Sequence, residues 1–282
     1  MITKNSKVKN LIVGTVFMMV LISDFSKLHA QDSLNTEISN ELRILSYNIH
    51  HANPPSIKDK IDLPAIINVI KNSKADLVAL QEVDSNTERS GFGNQAEQIA
   101  EALGFHVFFG KAIDFQNGAY GLAILSKFPI LKSQIYHLPS SPERTGEPRI
   151  LTMSQIKLPD GKSIWFANTH LDSEKDHTNR LLQVHKIIEI TQKESIPIII
   201  AGDFNAVEKS QVIEVFDQKF TRTCELCLPT IPVINPTKAI DFIAFKPKTA
   251  FKIKKHSVVS EHYASDHLPV LAILEFHKLF KM

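Results

Sequence analysis

Beyond residue 40 the chain alternates short apolar runs with clusters of Gly, Pro, Asn, Asp and Ser. Runs rich in β-branched and aromatic residues between turn signals predict strands over 43–47, 77–80, 106–109, 122–125, 150–158, 163–167, 197–201, 240–245 and 268–276. Pro159-Asp160-Gly161-Lys162 predicts a tight hairpin between two of them. Helical spacing appears over 63–71, opened by Asp62 with Pro64 in the first turn. It appears again over 95–103, where Asn94 and Glu97 form a capping-box pattern and Gly104 a stop, and over 179–192, with Leu181, Val184 and Ile188 on one face. Strands outnumber helices and hairpins mix with crossovers. The pattern predicts a layered α/β fold on mixed or antiparallel sheets rather than a doubly wound parallel one.

The first thirty residues differ in kind. A basic start at Lys4, Lys7 and Lys9 precedes an apolar stretch over 11–22 and a polar run ending in Leu28-His29-Ala30, the pattern of a secretory signal peptide cut after Ala30, with an uncleaved anchor as the alternative. The expectation is a secreted or periplasmic protein with no stable membrane insertion after cleavage: apolar runs past residue 30 are strand-sized, short of the ~20 residues that span a bilayer. The expected organisation is a signal peptide over 1–30, an extension over 31–41, one domain over 42–276 and a tail over 277–282, with a monomer as the default.

Composition narrows the class. The 282 residues are 43% hydrophobic and 22% charged, with ten Gly, fourteen Pro and two Cys, which excludes a collagen, a disordered tail or a disulfide scaffold. Four Lys and one Asp lie in residues 1–30, so the remainder carries 28 basic and 29 acidic side chains, a formal net of −1. A protein held to nucleic acid by charge alone would be visibly basic, so this balance disfavours nucleic acid as partner without excluding an enzyme that grips one or two phosphates.

Chemistry-bearing residues stand beside six apolar runs. Asn48 follows ILSY, Gln81-Glu82 follow LVAL, Thr169-His170-Leu171-Asp172 follow WFAN, and Gly202-Asp203-Phe204-Asn205 follow PIIIA. Asp241 lies inside IDFIAF, and Ser265-Asp266-His267 precede LPVLAIL. One such residue is usually a turn former, but packed strands bring their ends together, and carboxylates gathered there are costly unless a cation offsets them. Carboxylate and amide oxygens suit Mg²⁺, with Mn²⁺ or Ca²⁺ as alternatives, and zinc motifs such as HExxH or paired CxxC are lacking. An Mg²⁺ site that accepts phosphate oxygens points to phosphoester chemistry. A serine-nucleophile hydrolase is disfavoured: there is no G-x-S-x-G elbow, and consecutive Ser265, Asp266 and His267 diverge on extended chain.

In order, YNIH (47–50), LQEVD (80–84), NTHLD (168–172), GDFN (202–205), IDFI (240–243) and SDHLPV (265–270) resemble the signature of the endonuclease/exonuclease/phosphatase superfamily, with its DNase I-like fold. The tract over 229–245 resembles the substrate-side loop of secreted bacterial members. The resemblance implies a four-layer α/β sandwich, two central mixed or antiparallel sheets flanked by helices, with the active site at one rim. By position it implies Glu82 as the principal metal carboxylate, Asn48 as its amide neighbour and Asp266 as a further carboxylate, either at the metal or just behind its ligands. His267 then matches the catalytic histidine and Asp241 the aspartate that fixes its tautomer. Asp203 matches the residue that orients or deprotonates water, Asn205 a phosphate-binding amide, and His170 a donor to a phosphoryl oxygen.

Arg149 before a strand and His50 after Asn48 are candidate substrate contacts, Tyr120 and Asn117 shape the cleft or a turn, and Asp172 stabilises the loop after His170. Cys224 and Cys227 form a lone CxxC, read as a local bridge or two buried thiols. Lys246, Lys248, Lys252, Lys254 and Lys255 offer a nuclease-like patch or a solvated strand face, the latter favoured because Lys252 and Lys254 alternate with Ile253. The expected function is hydrolysis of a small-molecule, sugar-phosphate or lipid-headgroup phosphoester. The alternatives are a secreted nuclease and, remotely, a silent binding protein on the same fold.

Overall fold

The strand runs read as nearly continuous apolar sequence because both faces of each central strand are covered. In the computed structural model, which describes residues 40–143 and 146–277, Ile44 of β1 (Glu41–Asn48) and Leu77 and Ala79 of β2 (Leu77–Ser85) enter a cluster with Ile164, Phe166, Ile199 and Ala201. Their neighbours Leu45, Tyr47, Val78 and Leu80 face the other way, onto α1 (Leu63–Ser73) and α2 (Gln95–Leu103). Residues of period two therefore fill two cores at once.

Two six-stranded sheets result. With β3 (His106–Phe115), β4 (Gly118–Ser126), β11 (Phe251–Val258) and β12 (Val270–Phe276), the first runs β11-β12-β1-β2-β4-β3. With β5 (Ile130–His137), β6 (Ile150–Lys157), β7 (Ser163–His170), β8 (Ile198–Asp203), β9 (Thr221–Arg222) and β10 (Asp241–Lys246), the second runs β5-β6-β7-β8-β10-β9. The second sheet packs its outer face, through Trp165, Ala167, Ile198 and Ile200, on α3 (Thr178–Thr191) and α4 (Gln211–Asp217). Helix, sheet, sheet and helix make the four layers, as the family resemblance implies. No helix among the described residues is long and apolar enough to cross a membrane.

Each sheet is mixed, with one parallel pair: β1 with β2 across α1, and β7 with β8 across α3. The carboxyl ends of these pairs carry Asn48, Glu82, His170 and Asp203, where α/β sheets place their ligands. At the same rim β10 runs antiparallel to β8, with Asp241 directly opposite Asp203. The approach of β7 to β8 needs Gly202: a Cβ there would lie 2.1 Å from the Thr169 carbonyl oxygen.

Local signals decided the helix ends. Asn94 Oδ1 accepts from the Ala96 and Glu97 N–H groups and Gly104 stops α2 at φ 68°, while the Asp62 carboxylate accepts from Ala65 N at the start of α1. The expected hairpin closes with Gly161 at φ 86°. Strand β5 escapes the sequence reading because, as an edge strand, it exposes both faces, and α4 because seven residues carry too little periodicity. On α3 the buried face centres on Val184 and Ile187, while Leu181 and Ile188 sit on its flanks. Cys224 and Cys227 are bridged. The expected signal peptide lies outside the described residues.

Candidate active site

Glu82 reaches the rim through a bulge. The β2–β4 register shifts between Leu80 and Val83, and Glu82 takes φ 56°. Gln81 consequently turns inward: its Nε2 donates to Asn168 Oδ1 at 2.7 Å, and Asn168 Nδ2 donates to the Leu80 and Ala123 carbonyls at 2.8 Å each. Asn168, on β7, thus ties the second sheet to two strands of the first, directly behind the site.

Asn48 links the two acidic ends. Its Nδ2 donates to Glu82 Oε1 at 3.0 Å and to Asp203 Oδ2 at 3.2 Å, while its Oδ1 accepts from His50 N at 3.1 Å. With two carboxylates on one side and an N–H on the other, only this amide orientation satisfies all partners. Asn48 therefore presents its nitrogen to the acidic centre and holds Glu82 beside Asp203. Ser265, the serine excluded as a nucleophile, donates Oγ–H to the Asn48 carbonyl at 2.7 Å and so pins the Asp266-His267 segment beside β1.

Asp203, Asp241 and His267 form a buried cluster whose ligand atoms lie within 4.8 Å of one another. His267 Nδ1 lies 2.9 Å from Asp241 Oδ2, and its Nε2 lies 3.7 Å from Asp203 Oδ2. Burial alone would lower the imidazole; Asp241, by charge and hydrogen bond, then Asp203 and Asp266, reverse this and lift it to about 10. Burial, then the Asp241 charge, push the Asp203 carboxyl up to about 7, against the holding effects of His267, Asn205 N–H and Asn48. At neutral pH His267 is therefore cationic, while Asp203 stands near the midpoint of its titration.

His170 completes the group, with Nε2 3.5 Å from Asp203 Oδ2. Arg149 Nη1 meets its Nδ1 at 3.3 Å, and because a guanidinium only donates, the His170 proton sits on Nε2, facing the site. Burial first, then Arg149 and His267, hold His170 well below the ordinary imidazole value, so it is a neutral donor. Arg149, the expected substrate contact, is buried, paired with Glu147 at 2.9 Å and turned to His170. Asn205 N donates to Asp203 Oδ1 at 2.8 Å, and its Nδ2 uses one of its two N–H bonds on the Leu171 carbonyl at 3.0 Å.

His50 stands at the rim beside Glu82, its Nδ1 3.0 Å from the Asn53 carbonyl. Asp172 stays behind the site, bound by Glu174 N and Asn179 as a loop anchor. Tyr120 and Arg149 line a small cavity beside His170, and Asn117 lies at the β3–β4 turn, bonded to Glu88. Thr230 was missed: its Oγ1 donates to Asp241 Oδ2 at 2.5 Å. Only the fold brings that loop over β10; its one sequence signal was the 229–245 tract. The lysines lie elsewhere. Lys252 pairs with Glu275 and Lys255 with Ile273, at the end of β12 remote from the site, and Lys246 donates to the Thr191 carbonyl. The expected alternation fails, since Ile253 is exposed as well.

The donor set fits a divalent cation. Withdrawal from solvent raises the Glu82 carboxyl, Asn48 opposes this by hydrogen bonding, and the nearby Asp266 charge raises it further. Two carboxylates repelling each other at a rim are what a cation between them would relieve.

Residues 45–267 match the profile of the Endonuclease/Exonuclease/phosphatase family. The uncharacterized protein YbhP of Escherichia coli is 26% identical over 245 residues, spanning 82% of this chain and 94% of YbhP. Among solved structures, a mannosyl-6-phosphatase of Bacteroides thetaiotaomicron aligns with a TM-score of 0.67 at 22% identity, covering 83% of this chain and 100% of that one. The human Nocturnin catalytic domain with bound sulfate aligns with a TM-score of 0.66 at 20% identity, covering 84% and 93%. With the profile spanning both sheets and the rim between them, the chain belongs to the endonuclease/exonuclease/phosphatase family, whose enzymes hydrolyse phosphoesters with divalent metals.

Proposed function

We propose that the protein is an exported, Mg²⁺-dependent hydrolase of a small-molecule, sugar-phosphate or lipid-headgroup phosphoester, acting by in-line attack of water. The observation that carries this reading is the clustering of Asp203, Asp241 and His267, with His170 3.5 Å from the same Asp203 oxygen. Export rests on the signal-peptide pattern of residues 1–30.

Glu82 and Asp266 would hold the ion, which when bound supplies positive charge to the phosphoryl oxygens. Asp203 accepts the proton of the attacking water, a contribution of about 10²–10⁴-fold for general base catalysis. Cationic His267, held by Asp241, donates from Nε2 to oxygen as negative charge develops. Neutral His170 donates its Nε2–H to a second oxygen, and the free N–H of Asn205 to a third. The remote lysines and the near-neutral charge favour a small substrate over nucleic acid.

A panel of phosphoesters, assayed with Mg²⁺, Mn²⁺ and Ca²⁺ and after chelation, tests the reading. Metal-dependent turnover of bis-p-nitrophenyl phosphate without plasmid nicking, lost in folded His267→Ala and Glu82→Ala, is expected. Near wild-type rates in either variant would end it.

A further inference from the structure

A second group of donors meets at the rim, and every member sits on left-handed backbone. One ring nitrogen each of His50 and His51 and a carboxylate oxygen of Glu82 lie within 4.8 Å of one another. The φ angles are 46° at His50, 44° at His51, 61° at the following Ala52 and 56° at Glu82. Residues with a Cβ adopt this region reluctantly, and three in succession persist only where the surroundings hold them. Here they do. His50 N donates to Asn48 Oδ1 at 3.1 Å, Asn53 N to the His50 carbonyl at 2.8 Å, Asp62 N to the Ala52 carbonyl at 2.7 Å, and Gln95 Nε2 to the His51 carbonyl at 2.8 Å. The bracing spends backbone groups and leaves the imidazoles to do something else.

Their ring nitrogens show what that is. His50 Nδ1 lies 3.0 Å from the Asn53 carbonyl, which can only accept, so Nδ1 carries the proton and Nε2 keeps its lone pair. A backbone carbonyl that fixes one ring nitrogen and frees the other is the usual support of a metal-bound histidine. His51 Nδ1 is buried without a hydrogen-bond partner, and its ring meets that of His50 edge-on at 4.4 Å between centroids. The hydrolytic steps above use neither ring.

We propose that His50, His51 and Glu82 form a transition-metal site of two imidazole nitrogens and one carboxylate, which prefers a borderline ion such as Mn²⁺, Co²⁺ or Zn²⁺ to Mg²⁺. Imidazole suits first-row transition ions, whereas Mg²⁺ keeps to oxygen. Three protein donors leave positions for water or a phosphoryl oxygen. The inference rests on the reading of Glu82 as a metal carboxylate and widens the ions that carboxylate serves beyond Mg²⁺.

Metal-stripped full-length protein, titrated with Mn²⁺ under electron paramagnetic resonance and with Co²⁺ under visible absorption, tests it. Imidazole nitrogen coupling to bound Mn²⁺ is expected. Affinity for both ions should weaken by at least about 10–100-fold in His50→Ala and in His51→Ala, with the circular dichroism spectrum unchanged, and by more than affinity for Mg²⁺. His50→Gln, which keeps bulk and polarity, should behave as His50→Ala does. Absent nitrogen coupling, or wild-type Mn²⁺ affinity in the folded variants, overturns the site. Turnover with Mg²⁺ in a protein lacking nitrogen coupling would sink this site and leave the hydrolase standing. Nitrogen-coupled Mn²⁺ with no phosphoester turnover would do the reverse.

Discussion

His267 Nδ1 lies 2.9 Å from Asp241 Oδ2, and Thr230 Oγ1 donates to that same oxygen, while Asp241 Oδ1 is buried with no hydrogen-bond partner. One carboxylate oxygen thus takes both bonds and fixes the ring, and its charge is what keeps a buried imidazole protonated. Loss of that charge leaves burial opposed only by Asp203 and Asp266, so the histidine holds its proton less tightly.

Asp241→Asn should therefore move the titration of His267 from about 10 to well below it, and cut kcat by about 10²-fold or more as the cationic donor is lost. Thr230→Val removes one hydrogen bond to the charged Asp241 carboxylate, worth about 1.5–3 kcal/mol, and should cost about 10-fold or more in kcat as the carboxylate loses one of its two anchors. Titrating the His267 ring by NMR in the three proteins checks this. A ring that still titrates near 10 in Asp241→Asn would refute the pairing as its cause.

Asp203 predicts a trade between stability and activity. Its folded carboxyl is raised from 3.8 to about 7, so the native state holds the proton more tightly than the unfolded chain. That contribution to stability is present below the unfolded value and is lost as pH rises through about 7. Asp203→Asn mimics the protonated form. Thermal melts should show a higher Tm than wild type at neutral pH, by several times the ~2–4 °C per kcal/mol of a domain this size at most, and little difference in acid. An unchanged or lower Tm at neutral pH would show that the Asp203 charge is well solvated in the native state.

Asn168→Ala leaves the Gln81 amide without its buried partner and strips two carbonyls of a donor. Each unsatisfied buried group costs about 1–3 kcal/mol, so with three of them urea unfolding should show a loss of about 3 kcal/mol or more, with kcat reduced as Glu82 loses its backing. A loss below about 1 kcal/mol would mean that the sheets do not depend on this tie.

The lysines at the far end of β11 give a test of partner class. Replacing Lys252, Lys254 and Lys255 by Glu should leave kcat/KM for a small phosphodiester unchanged, and turnover should depend only weakly on salt, since these side chains lie away from the rim. A steep loss of nucleic-acid hydrolysis with salt that disappears in the variant would favour a nuclease.

The sequence carried more of this site than of its supports. Asn48, His170 and Asp203 were legible because each ends an apolar run, and parallel strands present their carboxyl ends together. Gln95–Leu103 was legible to the residue, since Asn94 and Gly104 mark both of its ends locally. Thr230 was not, because its contact with Asp241 exists only once a loop folds over β10. Nor was the turning of Arg149 to His170, or which end of the Asn48 amide meets the carboxylates. Residue type gives a side chain's chemistry, but its aim depends on partners distant in sequence. Edge strand β5 failed for another reason: burial writes the pattern, and an edge has little of it.

The most direct test is the pH dependence of kcat/KM for a phosphodiester in wild type and in Asp203→Asn. The account predicts a bell whose rising limb reports Asp203 near 7 and whose falling limb reports His267 near 10, with a rate about 10²–10⁴-fold lower and no rising limb near 7 in the variant. A variant that keeps the wild-type rate, or the same rising limb, would contradict it.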